Sequence, residues 1–97
     1  MSYPKGLFAT RCHEEIKRWV TKRGGHPAQL KGTGSVSKPG VLRVDLPAAS
    51  DPDEKLEPIS WSEFFQKFDH NRLGFLYQER TGKGYLSHFF KFRSYRS

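Results

Sequence analysis

The chain has 97 residues, a formal charge of +7 from 17 Lys and Arg against 10 Asp and Glu, and 14% aromatic side chains. That length holds one domain (1–97) with one modest core, for which bulky rings are an efficient filling. Without a run of about 18 apolar residues or a signal-peptide pattern at its start, the chain is expected to be cytoplasmic with no membrane partner, and its single cysteine, Cys12, excludes an internal disulfide or a zinc cluster of paired cysteines.

Residues 1–9 read as a flexible end. A first helix is predicted from Cys12 to Arg23, because Ile16, Trp19 and Val20 recur at helical spacing while Glu14, Lys17, Arg18 and Lys22 fall elsewhere. Gly24 and Gly25 should end it. Pro27–Lys31 and Val41–Leu46 read as strands joined by a Gly- and Ser-rich loop, and the alternation of Leu42, Val44 and Leu46 with Val41, Arg43 and Asp45 describes one dry and one wet face. Residues 47–58, with three prolines and Asp51, Asp53, Glu54 and Glu57, form an acidic connector.

Ser60 and Glu63 then supply a capping box, with Ile59 and Phe64 placed as its hydrophobic staple. Trp61, Phe64, Phe65 and Phe68 form the buried stripe of a second helix, with Gly74 as its stop. Phe75–Arg80 and Tyr85–Arg93 read as strands around a Thr81-Gly82-Lys83-Gly84 turn, and 94–97 as a second flexible end. The expected fold class is therefore α+β, ordered α-β-β-α-β-β, with a four-stranded, mainly antiparallel sheet covered on one face by two helices. Its expected core is Ile16, Trp19, Val20, Leu42, Val44, Trp61, Phe64, Phe68, Leu76 and Phe90. A shift of 48 positions lays Glu15-Ile16 on Glu63-Phe64, Val20 on Phe68, and Val41-Leu42-Arg43-Val44 on Phe89-Phe90-Lys91-Phe92. This suggests a duplicated αββ unit; periodicity shared by any two such units is the alternative.

Little in the chain carries catalytic chemistry. Cys12 beside His13 at a helix start is the best nucleophile, since a helix dipole favours thiolate, but it lacks a second cysteine or an oxyanion motif, and a small packed hydrophobe is the commoner role. His13, His26, His70 and His88 lack metal-ligand spacing. Gly32 to Gly40 lacks the phosphate-loop pattern, and the acidic connector lacks the calcium-loop pattern. No catalytic, cofactor or metal site is predicted, and the chain reads as a non-enzyme.

The basic residues are the stronger signal. The net charge is +4 over 1–25, +2 over 26–46, −3 over 47–60 and +4 over 61–97. Lys91, Arg93 and Arg96 flank Tyr95, and a sheet with aromatics and arginines is one way to stack bases. Lys17, Arg18, Lys22 and Arg23 avoid the apolar stripe of the first helix and are expected to face solvent, joined by Lys31 and Arg43 in an anion-binding surface. The predicted function is a small binding module engaging nucleic acid or another polyanion. The alternatives are an accessory module binding a protein partner and, third, a thiol enzyme using Cys12.

Arg23-Gly24-Gly25-His26-Pro27-Ala28, Lys31-Gly32-Thr33, Pro39-Gly40-Val41-Leu42-Arg43-Val44-Asp45, Leu56-Glu57-Pro58-Ile59-Ser60-Trp61 and Leu76-Tyr77-Gln78-Glu79 resemble a group of short bacterial proteins of uncharacterised activity. Some of that group carry the label 1,4-alpha-glucan branching enzyme. A branching enzyme resembling the amylases needs a barrel of about 250 residues. The resemblance thus implies a compact bacterial protein, with no site residues to carry over.

Overall fold

The computed structural model describes residues 6–31, 42–49 and 55–95. Its elements run β1 (Leu7–Thr10), α1 (His13–Lys22), β2 (His26–Leu30), β3 (Leu42–Asp45), β4 (Leu56–Pro58), α2 (Trp61–His70), β5 (Leu73–Gln78) and β6 (Phe90–Ser94). The class is α+β as expected, but the single four-stranded sheet is not formed. Instead there are two antiparallel three-stranded sheets: sheet A, ordered β1-β5-β6, and sheet B, ordered β3-β2-β4. The two added strands are β1, from the stretch read as a flexible end, and β4, from the stretch read as connector. Each is only three or four residues long, and β4 ends on a proline, so neither has a local strand signature. They exist because each hairpin offers an edge: β1 completes the hairpin of the second half, and β4 that of the first.

The two halves repeat element for element. α2 lies 48 positions beyond α1 with the same length. The hairpins share one register, Pro27 opposite Val44 in sheet B and Phe75 opposite Phe92 in sheet A. After the helices the chain turns through a left-handed residue at equivalent places, Gly24 (φ 70°) and Arg72 (φ 51°). The exchanged strands match to within one residue: Phe8 pairs with Tyr77, whereas its equivalent Leu56 pairs with Leu30, not with Gln29. A slip of one turns a strand over, so Phe8 shares the inner face of sheet A while Leu56 lies on the outer side of sheet B.

One continuous core joins both helices and both sheets. α1 packs on sheet A through Trp19, whose ring centroid lies 5.4 Å from Phe75, 6.0 Å from Tyr77 and 5.9 Å from Phe90, and whose indole N–H donates to the Gln78 carbonyl at 3.0 Å. α2 starts where expected, with the Ser60 hydroxyl accepting from the Glu63 amide at 3.0 Å. It bridges the sheets: Phe64 and Phe68 pack on Phe92 of β6, and Lys67 donates to Gln29 of β2 at 2.6 Å.

The expected core is corrected in part. Phe65, Phe75, Tyr77 and Leu46 belong to it, Trp61 and Phe90 pack at its margin half-buried, and Leu76 sits on the opposite face of β5 from Phe75 and Tyr77. Gly74 does not stop α2, which ends at His70 and turns through Asn71 and Arg72; Gly74 lies inside β5. The last strand begins at Phe90, later than expected: 79–89 is a long loop with an isolated bridge between Arg80 and Leu86 and backbone bonds from Ser87 to Glu79 and from Thr81 to Tyr85. The Gly- and Ser-rich loop at 32–40, with Val41, and connector residues Asp51, Asp53 and Glu54 lie outside the described residues.

Candidate nucleic-acid interface

The six cations expected to form one surface are divided by the fold. Lys17, Arg18 and Lys22 are exposed on α1. Lys31 is exposed at the far end of β2, where its amide donates to the Lys55 carbonyl at 2.9 Å. Arg43 lies half-buried on β3 opposite Ala28, with a guanidinium N–H donating to the Leu42 carbonyl at 3.0 Å. Arg23 is not at the surface at all.

Only 7% exposed, Arg23 stacks its guanidinium over the Trp19 ring at 4.1 Å and donates to three carbonyls: Ser87, Trp19 at 2.9 Å and Glu79 at 2.8 Å. Helical periodicity put it on the wet side of α1. Position 23 follows the last helical residue, however, and from there the side chain reaches under the 79–87 loop. Burial lowers its pKa from the ordinary value, opposed by the charge of Glu79. Arginine stays protonated through such a shift, and its fork of donors serves the Ser87 and Trp19 carbonyls and adds a second bond at the Glu79 carbonyl, which also accepts from the Ser87 amide.

Cys12 lines an open cleft with Glu14, Glu15 and Arg18. Cys12 is exposed at the start of α1 and its side chain makes no capping bond. His13 stacks flat on Phe65 at 4.0 Å and pairs with Asp69 at 2.9 Å; His26 pairs with Asp45 at 3.1 Å. Among the described residues no three His, Cys, Asp or Glu side chains converge as metal ligands. Glu15 accepts from the Thr10 hydroxyl at 3.1 Å and from the Tyr77 phenol. Burial, and then the bond to Glu15, raise the Tyr77 pKa above its ordinary value.

A different cationic surface stands on the outer face of sheet A. Phe75, Tyr77, Phe90 and Phe92 point into the core, so the alternation of the strands turns Gly74, Leu76, Lys91 and Arg93 outward. Tyr95, just beyond β6, donates its amide to the Arg72 carbonyl at 2.8 Å and lays its ring over Gly74. A Cβ at position 74 would come within 2.0 Å of that ring, so glycine is required for the close approach. The guanidinium carbons of Arg11 and Arg93 each lie 5.7 Å from the ring centroid, and Arg11 is steadied by donating to the Leu73 carbonyl at 3.3 Å. Beside this group is a cleft of about 300 Å³ lined by Leu76, Phe92, Lys91 and Arg93.

The three strands of sheet A contain no Asp or Glu, whereas those of sheet B contain Asp45 and Glu57. One equivalent position carries opposite charge: Arg93 in β6 corresponds to Asp45 in β3, which is paired with His26, whereas Lys91 corresponds to Arg43. The run Lys91, Arg93, Tyr95 was legible in sequence. That Arg11 and Gly74 complete it, from 80 or more and about 20 positions away, was not.

No protein-family model, curated protein or solved structure matches this chain. No described helix is long and apolar enough to cross a membrane.

Proposed function

We propose that the protein is a non-enzymatic binding module for nucleic acid, and that its binding surface is the outer face of sheet A. The carrying observation is the segregation of charge: Arg11 and Arg93 lie beside an exposed tyrosine, with Lys91 on the same outer face, on a sheet whose strands hold no carboxylate. Phosphate oxygens are the polyanionic groups that such a face attracts, and a ring among arginines suits the bases they carry. The 48-residue repeat supports the reading. Taken as a duplicated unit, it leaves one half with the Asp45–His26 pair and gives the other half Arg93 opposite Gly74 at the matching place.

A salt series tests this. Affinity for DNA and RNA should fall linearly on log-log axes, and replacing Lys91 and Arg93 with Gln should flatten the slope by up to about two, one per lost phosphate contact. The same change at Lys17 and Lys22 should leave the slope within error. If the α1 variant flattens it and the sheet variant does not, the helix is the binding surface. No binding at low salt would remove nucleic acid in favour of a protein partner.

A further inference from the structure

We infer that sheet A takes single-stranded nucleic acid, with one base stacked on Tyr95 and the neighbouring nucleotide seated in the cleft beside it; this rests on the nucleic-acid reading above and specifies its ligand. Three observations carry it. First, Tyr95 is held as a platform: the residue is 44% exposed, its ring lies over Gly74, and its backbone is fixed by the bond to Arg72. A ring presented in this way offers a π-face to any base, and a duplex, whose bases already stack on one another, has none to give it.

Second, the cations flank the ring and do not cover a separate patch. Arg11, one residue beyond β1, and Arg93, in β6, stand at equal distance from the Tyr95 centroid, so the phosphates on either side of a base stacked there have guanidinium partners within reach. Third, the adjoining cleft sets the apolar side chain of Leu76 beside Lys91 and Arg93, while the Phe92 ring is turned to the core. That pairing matches the flat apolar face and charged phosphate of one nucleotide. The cleft shares Arg93 with the platform, which makes the two places successive positions along one strand.

The test uses the full chain and a labelled thymidine oligomer of about 12 nucleotides, long enough for one such site. It is compared with a duplex of the same length and with an abasic strand that keeps the phosphates. The single strand should bind about tenfold or more tighter than either, by the usual worth of one stacked base. Tyr95→Ala should bring it down to the abasic level with the salt slope unchanged, Tyr95→Phe should keep the preference, and Tyr85→Ala, at the most exposed aromatic of the distant loop, should behave as wild type. Gly74→Ala, which displaces the ring but keeps every charge, should act like Tyr95→Ala. Equal binding of the three ligands with a steep salt slope would overturn the stacking inference and leave the nucleic-acid reading standing. So would a Tyr95→Ala chain, folded by circular dichroism, that keeps the preference, or thymidine monophosphate competing as well as the oligomer per nucleotide. Failure to bind any of them at low salt would overturn both.

Discussion

Replacing Arg23 separates a structural cation from a ligand-binding one. Arg23→Met keeps the length of the stem over Trp19 and removes the fork that donates to Ser87, Trp19 and Glu79. A hydrogen bond from a charged donor contributes about 1.5–3 kcal/mol, and part of the loss is recovered when loop carbonyls open to water. The net cost should therefore be about 3–5 kcal/mol, including the lost cation–π contact over Trp19. That is a large share of the roughly 5–15 kcal/mol that stabilises a domain of this size. With a urea dependence of about 2 kcal/mol per molar, the unfolding midpoint should fall by about 2 M. Arg23→Lys should recover little, since an ammonium cannot reach three divergent carbonyls. Hydrogen exchange gives an independent readout: the Ser87 amide, which donates to Glu79 at 3.0 Å, and the Thr81 amide, which donates to Tyr85 at 2.8 Å, should lose protection before the helices do. Midpoints for both variants within about 0.3 M of wild type would refute the clamp. Under conditions where the variants remain folded, the salt slope for nucleic acid should be unchanged; a loss of one phosphate contact would return Arg23 to the binding surface.

Phe68→Ala removes a fully buried ring packed against Phe64, Phe65 and Phe92, and should cost about 3–5 kcal/mol by denaturation, with Phe64→Ala similar; an unchanged midpoint in both would sink the packing of α2 between the sheets. Tyr77 predicts an alkaline limit. Its folded pKa is raised, so the phenol's contribution is fully present below the unfolded value near 10 and is lost as pH rises beyond it, at up to about 1.4 kcal/mol per pH unit. Tyr77→Phe should remove that part of the slope between about pH 10 and 11, and equal slopes for the two proteins would contradict the burial of the phenol beside Glu15.

The sequence by itself determined the pieces whose causes are local. The Ser60 cap and the Phe64–Phe68 stripe define α2 because a helix start is chemistry within four residues and a helix face is spacing within eight. α1, β2 and β3 follow from the same kind of signal, and the 48-residue offset was visible as a pattern before any strand was paired. What only the tertiary structure decided is partnership. β1 and β4 are too short to declare themselves, and their pairing with the opposite half turns one expected sheet into two. Gly74 reads as a stop signal in one dimension, but in three it is the space occupied by Tyr95. Arg23 and Arg93 are the same residue type in basic stretches of sequence, and composition cannot tell them apart. The first lies under a loop whose carbonyls need donors, and the second stands on an outer face beside an exposed ring. Charge is a property of the residue, but its availability to a ligand depends on which surfaces the rest of the chain has covered.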